Sequence, residues 1–173
     1  PIEDKIVHEF GPFVANTHTE ASETGTLMTL SYKHAHEMIK KHVNAGPDDA
    51  LITAGFGMTA VVNKLQRILG MKKFEGEKPV VFLTHMEHHS NHTSWYETHA
   101  DVVILEPDED LLIDLKELRG QLEKYKDREY KIGAFTACSN VTGIETPYHE
   151  MAKIMHEYKG LCFIDFAASA PYV

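Results

Sequence analysis

Residues 79–106, PVVFLTHMEHHSNHTSWYETHADVVILE, contain the pattern that decides the fold. Two apolar runs, PVVFLT (79–84) and DVVILE (101–106), are rich in β-branched residues and lack polar alternation. Runs of this kind are typical of strands that are covered on both faces, as in a parallel sheet. The stretch therefore predicts two core strands.

The same kind of run recurs on both sides of this stretch. ALITA (50–54), YKIGAFTA (130–137) and LCFID (161–165) are also apolar, and we predict that they are strands of the same sheet. With the two runs above, the predicted sheet has five strands. The chain is therefore predicted to contain a largely parallel sheet.

Amphipathic segments alternate with these runs. Apolar residues recur at helical spacing within 61–69 and 115–125. Another helix is predicted to begin at Thr146, with Pro147 at its first position, and a longer helix, 27–43, precedes the sheet. The prediction is a three-layer α/β domain whose mainly parallel sheet has helices on both faces.

Composition and charge narrow the class of protein. The chain has 173 residues, 43% hydrophobic and 25% charged, which suits one globular domain or one large piece of a domain. Its net charge is −9 and its lysines are scattered along helical patterns, so we expect no nucleic-acid partner. The sequence contains no long apolar run or signal-peptide pattern, and Cys138 and Cys162 suggest buried free thiols. We expect no membrane partner and a cytoplasmic location.

The first candidate site is TAGFGMTAVVNKL (53–65), where an apolar run leads through two glycines into a helix. The first amides of a helix have no partner inside it, and the helix dipole adds positive potential there. A phosphate can therefore bind the backbone after Gly57, at Met58 and Thr59, and the Thr59 hydroxyl. The alternative is a glycine turn that only joins two elements.

The second candidate site is a histidine cluster in THMEHHSNHTSW (84–95), at the exit of a predicted strand. Histidines can simply occupy a surface turn, and His88 and His92 stand at i and i+4, as metal ligands on a helix do. The order of residues is not that of zinc peptidases, and we predict no metal. An imidazole can instead stack on a flat ring and relay protons.

Two further polar positions follow strand ends. Asn140 lies in ACSNVTG (137–143), where a turn residue is the simplest interpretation. Asp165 closes the apolar run of FIDFAASAP (163–171). A buried carboxylate is costly unless it is paired, so a cationic partner is implied, such as a protonated ring nitrogen.

Together these motifs resemble class V aminotransferases, especially the cysteine desulfurase branch. The matching residues occur in the family's order and approximate spacing over nearly the whole chain: Gly57, Met58 and Thr59 ahead of Asn63; Glu87, His88, His89 and Asn91; Ser139, Asn140 and Gly143; and Asp165 with Ala167. The resemblance implies the type I fold of pyridoxal-phosphate enzymes. It also implies an amino-acid substrate and a homodimer.

The resemblance also implies a role for each site residue. Met58 and Thr59, after Gly57, bind the cofactor phosphate, and His88 is the catalytic residue that stacks on the ring and relays protons. Asn140 contacts the cofactor's phenolic oxygen or the substrate. Asp165 pairs with the pyridine nitrogen and keeps it protonated, which helps the cofactor accept electrons.

The sequence departs from the family at two points. Many relatives have a glutamine three residues after the aspartate, where this chain has Ala168, so a divergent branch is indicated. The family's Schiff-base lysine lies on a later strand, and no lysine follows Asp165. We therefore expect part of a cofactor-binding large domain, with an N-terminal segment and helix (1–49) and a βα core (50–173), that is inactive by itself.

Two other classes of function stay open from the residues alone. One is a non-catalytic α/β module that keeps the anion pocket for a small phosphorylated ligand. The other is a metal-dependent hydrolase that uses the histidine cluster. A lysine in the remainder of the protein would favour the enzyme over the binding module, whereas metal analysis tests the hydrolase.

Overall fold

A computed structural model describes residues 1–172, so Val173, the last residue of the predicted core, lies outside the described residues. The chain divides into two compact units, Pro1–Thr53 and a second that begins at Ala54. Within the described residues, no helix has the length and apolar character needed to cross a membrane.

The first unit is helical. A short α-helix, α1 (Ile2–Asp4), continues as one π-helical segment (Lys5–Phe10) and one 3-10 turn (Gly11–Phe13). The long helix α2 (Glu23–His42) follows. It begins earlier than the predicted Leu27, because the Ser22 hydroxyl accepts a hydrogen bond from the Gly25 amide and caps the helix.

The second unit is built on a four-stranded parallel sheet in the order β2-β1-β3-β4. Its strands are β1 (Val80–Thr84), β2 (Asp101–Leu105), β3 (Lys131–Thr136) and β4 (Leu161–Asp165). Its helices are α3 (Gly57–Ile68), α4 (His89–Tyr96), α5 (Leu115–Lys124) and α6 (Tyr148–Glu157). The prediction of a largely parallel α/β fold is confirmed.

Hydrophobic clusters cover both faces of the sheet. On one face, Phe82 and Phe135 pack with buried side chains of α5 and α6, such as Leu118 and Met151. On the other face, alternate residues of β1 and β3 pack with Met71 and with Trp95 of α4. Since each fully buried large side chain contributes about 1.5–3 kcal/mol, these clusters fix the helices on the sheet.

Two details of the predicted elements are wrong. Residues 51–54 of ALITA form no strand, and Ile52 is 48% exposed. Thr146 does not cap α6, because its hydroxyl donates to the carbonyls of Thr136 and Ala137, and the helix begins after Pro147. All four observed strands nevertheless lie in predicted runs.

Candidate functional site

The carboxyl ends of the parallel strands lie at one edge of the sheet and supply most of the candidate site. Thr84, Thr136 and Asp165 are the last residues of β1, β3 and β4. Ligands of open α/β sheets commonly bind at this edge.

The start of α3 presents unpaired amides. Phe56 and Gly57 both have positive φ, 66° and 67°, and turn the chain sharply into the helix. No side chain caps this helix, and no hydrogen bond within residues 1–172 uses the amides of Gly57, Met58 or Thr59. These amides are therefore available to an anion, as the sequence predicts.

His88 is the N-cap of α4. Its Nδ1 accepts a hydrogen bond from the Ser90 amide over 3.1 Å. The Ser90 Oγ lies 3.1 Å from the same nitrogen and 2.6 Å from the Thr59 Oγ1. A chain of two hydroxyl groups thus joins the start of α3 to the His88 ring.

Glu87 holds the strand ends and α4 together. Its Oε1 accepts hydrogen bonds from the Thr84 hydroxyl (2.6 Å) and the Thr136 amide (2.9 Å), and its Oε2 accepts one from Asn91 Nδ2 (2.8 Å). Burial raises the pKa of the Glu87 carboxyl above its ordinary value, and the hydrogen bonds from Thr84, Thr136 and Asn91 oppose that rise. These hydrogen bonds therefore fix Glu87, the residue that precedes His88.

Asp165 is buried, with 6% of its surface exposed. Its Oδ1 accepts a hydrogen bond from the Ala167 amide over 2.8 Å. None of the ion pairs formed among residues 1–172 includes Asp165. The carboxylate is thus available to a cationic group of a ligand.

Asn140 lies on the exposed turn that follows β3. The turn is held by the Ser139 hydroxyl, which accepts hydrogen bonds from the amides of Val141 and Thr142. In the described part of the chain, no hydrogen bond uses the Asn140 side chain. It is therefore available to a ligand.

These groups line one cleft of about 380 Å³. All six predicted site residues lie along it: Gly57, Met58, Thr59, His88, Asn140 and Asp165. The remaining lining residues had no predicted site role, although Ala167 and Ala168 belong to the sequence motif of Asp165: Phe56, Ser90, Thr136, Cys138, Ala167 and Ala168. The cleft has a volume typical of small-molecule sites. The predicted residues therefore come together, while their roles stay predictions.

Sequence reasoning missed Ser90 and Cys138 as lining residues. A signal for Ser90 existed, because a serine two residues after a helix cap lies within reach of the capping side chain. Cys138 and Cys162 were both interpreted as buried thiols, and both are half-buried. Both cysteines are free, and burial raises the pKa of the Cys162 thiol to about 11. At that pKa the Cys162 thiol is protonated and unreactive at neutral pH.

The other histidines of the cluster are not part of the cleft. His85 Nε2 lies 3.0 Å from the Leu111 carbonyl oxygen, and His92 packs against Tyr96. Among the residues that the structure describes, no three histidine, cysteine, aspartate or glutamate side chains are placed to hold a metal ion.

Known proteins share this chain's sequence pattern. The model of the family "Aminotransferase class-V" matches residues 1–172. A probable cysteine desulfurase of Halalkalibacterium halodurans is 31% identical over 163 residues, which cover 92% of this chain and 39% of that protein. A cysteine desulfurase of Synechococcus elongatus is 28% identical over 98% of this chain and 27% of its own length. The chain spans about two fifths or less of these curated relatives.

Solved structures share the fold. A NifS-like protein from Rickettsia africae matches with a TM-score of 0.72 at 15% identity, covering 96% of this chain and 44% of that one. A cysteine desulfurase from Thermococcus onnurineus matches with a TM-score of 0.70 at 16% identity, covering 95% and 39%. The family predicted from the four motifs is confirmed, and this chain belongs to the class V aminotransferases.

Proposed function

We propose that this chain is part of the cofactor-binding domain of a pyridoxal-phosphate enzyme that acts on an amino acid, of the cysteine desulfurase type. The observation that carries the proposal is one cleft lined by unpaired helix amides, a histidine and a buried carboxylate. These are the groups that a phosphate, a flat ring and a protonated ring nitrogen would require.

The phosphate end of the cofactor fits the start of α3. The free amides of Met58 and Thr59 would donate to phosphate oxygens, and Gly57 would let the backbone approach closely because it has no side chain. The helix dipole adds positive potential at the same point. These residues would bind the phosphate and orient the cofactor.

The pyridine nitrogen fits Asp165. This carboxylate accepts one backbone hydrogen bond and has no cationic side chain as a partner within residues 1–172. A protonated nitrogen would offset the cost of burying its charge. Asp165 would thus hold a proton on the ring, and pyridoxal phosphate, when bound, supplies the electron sink for bond cleavage at the α-carbon of an amino acid.

His88 and Asn140 would act on the remaining parts of the ligand. His88 is held at the start of α4, where its ring can stack on a flat ring and move a proton. The exposed Asn140 amide can bind the phenolic oxygen of the cofactor or a group of the substrate. His88 is the proposed catalytic residue.

Cysteine desulfuration is the reaction that the relatives favour, since the two curated relatives above are described as a probable cysteine desulfurase and a cysteine desulfurase. Ala168 lines the cleft where many family members have a glutamine, so the reaction type of this branch needs its own measurement. The decisive assay is sulfide release from cysteine by the whole protein. Transamination without sulfide release would favour an aminotransferase instead.

No lysine of residues 1–172 lines the cleft, and we propose that the chain by itself has no such activity. The same observation favours a second candidate, a non-catalytic module that binds a phosphorylated ligand. Borohydride reduction of the whole protein with pyridoxal phosphate distinguishes the two candidates. The enzyme forms a covalent, reducible bond between a lysine and pyridoxal phosphate, whereas the module does not.

We also propose that the whole protein is a cytoplasmic homodimer. Phe56 is 99% exposed beside the cleft, and an aromatic side chain at such a position is a common subunit contact. The free thiols of Cys138 and Cys162 suit a reducing compartment. Sedimentation of the whole protein and of its Phe56→Asp variant tests the dimer.

A further inference from the structure

We propose that Ser90 couples anion binding at α3 to the hydrogen bonding of the His88 ring, so that Ser90 is a positioning residue of this site. The inference rests on the proposed phosphate site at Thr59. Its basis is the chain of contacts from Thr59 Oγ1 to Ser90 Oγ (2.6 Å) and from Ser90 Oγ to His88 Nδ1 (3.1 Å). Within residues 1–172 these are the only partners of the Ser90 hydroxyl.

The Ser90 amide determines which nitrogen of the neutral His88 ring carries the proton. A backbone N–H can only donate, so its 3.1 Å hydrogen bond requires Nδ1 to be an acceptor. The proton of the neutral ring is therefore on Nε2. This hydrogen bond also caps α4, and it does not depend on the side chain of residue 90.

Each hydroxyl of the chain has one proton to donate, which allows two arrangements. We assign the anion-free arrangement as one in which Thr59 donates to Ser90 and Ser90 donates to His88 Nδ1, because Nδ1 is an acceptor. When a phosphate accepts the Thr59 proton, Ser90 must donate to Thr59 instead, so His88 Nδ1 loses the Ser90 hydroxyl as a donor. Only hydroxyl rotations are involved, and no proton changes its heavy atom.

The phosphate-bound arrangement changes the hydrogen bonding at Nδ1 of the His88 ring. The lone pairs of Ser90 Oγ then face Nδ1, which keeps only the Ser90 amide as a donor. Binding of phosphate would thus weaken the hydrogen bonding at His88 Nδ1, while the Ser90 amide keeps the ring proton on Nε2. By linkage, the state of His88 would influence the phosphate in return.

Two variants at residue 90 distinguish this coupling from the capping of α4 by His88. Ser90→Ala removes the hydroxyl but keeps the amide that caps α4, and Ser90→Thr keeps the hydroxyl. Thr93→Ala is the control, because it removes a hydroxyl from the same helix that donates to the His89 carbonyl and has no hydrogen bond to His88 among residues 1–172. A merely structural role for Ser90 would leave the response of His88 to phosphate unchanged.

The experiment is nuclear magnetic resonance of the ¹⁵N-labelled chain titrated with inorganic phosphate in mildly alkaline buffer, where imidazole is neutral. The amides of 57–59 report anion binding, and the ring nitrogens of His88 report the coupling. We expect phosphate to move the Nδ1 resonance in the wild type, in Ser90→Thr and in Thr93→Ala. In Ser90→Ala the amides should still respond while the Nδ1 shift is largely lost.

Equal Nδ1 shifts in the wild type and Ser90→Ala, or a shift lost in Ser90→Thr as well, would overturn the coupling and leave the anion site intact. Amides at 57–59 that do not respond to phosphate would overturn the anion site and the coupling together. The two readouts thus distinguish failure of this inference from failure of the proposed function.

Discussion

Asn91 Nδ2 donates to Glu87 Oε2 over 2.8 Å, and this contact joins α4 to the carboxylate that holds the ends of β1 and β3. The direction of the hydrogen bond is fixed. Trp95 Nε1 can only donate and bonds Asn91 Oδ1, so the other end of the Asn91 amide is the donor. Glu87 therefore accepts hydrogen bonds from every described partner, as a carboxylate does.

Glu87→Gln should destabilise the chain by about 1–3 kcal/mol at neutral pH, since the new NH₂ group must face at least one buried donor. The free energy of unfolding in urea, followed by circular dichroism, measures this cost. Glu109→Gln makes the same change at an exposed residue and should have little effect. Equal stability of the Glu87→Gln variant and the wild type would mean that the hydrogen bonds of Glu87 do not stabilise the fold.

The stability difference between the wild type and Glu87→Gln should depend on pH. Burial raises the pKa of Glu87, so between its unfolded value of about 4.3 and its higher folded value the folded chain binds more protons. The contribution of Glu87 to stability is therefore fully present at low pH and decreases as pH rises through that window. Unfolding measured across the window should show the cost of Glu87→Gln shrinking with pH; a growing cost would mean that the pKa is lowered.

Gly57→Ala should destabilise the chain by about 1–2 kcal/mol and weaken phosphate binding, because residue 57 has a φ of 67°. An added Cβ would meet nothing within 4 Å, so the cost lies in the backbone alone. Gly55→Ala is the matched control, with an equally open position and no positive φ. Urea unfolding and phosphate titration of both variants provide the comparison, and equal losses in the two would refute the explanation.

Asp165→Asn should weaken the binding of pyridoxal phosphate roughly tenfold or more, since a hydrogen bond to a charged group contributes about 1.5–3 kcal/mol. Equilibrium dialysis with the purified chain measures the affinity. Asp110→Asn, at an exposed position, has the same change of net charge and should bind as the wild type does. An unchanged affinity in Asp165→Asn would remove Asp165 as the partner of the ring nitrogen.

Pyridoxal phosphate should form no single-site covalent adduct with the 173-residue chain. A selective adduct needs an amine beside the bound ring with a lowered pKa. Lys116 and Lys153 are exposed, and buried Lys131 lies at the amino end of β3, where its ammonium donates to the carbonyls of Lys126 and Arg128. Borohydride reduction and peptide mapping are the test, and one stoichiometrically modified lysine would contradict the prediction.

The sheet was predictable because its strands are apolar on both faces. Continuous apolar runs such as VVFL in β1 leave few alternatives to a buried strand of a parallel sheet. ALITA is also an apolar run, but its apolar character cannot tell whether a neighbouring strand is present to pair with, and residues 51–54 form no strand. The predicted cap at Thr146 is wrong for a related reason. The Thr146 hydroxyl donates instead to a carbonyl at the end of β3, which only the folded chain brings near.

The convergence of the site residues was predictable from topology, because the carboxyl ends of parallel strands share one edge. The links between them were not. The contact of Thr59 with Ser90 spans 31 positions, and that of Glu87 with Thr136 spans 49. Such pairs depend on how α3 and α4 pack, which no local pattern in the sequence encodes.

Trp95, the chain's single tryptophan, is fully buried, and its indole donates to Asn91, one residue from the Ser90 hydroxyl. The chain therefore has an intrinsic fluorophore on α4, the helix that carries Ser90. Its emission should be that of an indole shielded from water and should shift to longer wavelength when α4 separates from β3. Local opening of the site can thus be followed optically in the unlabelled chain, separately from the loss of helix elsewhere.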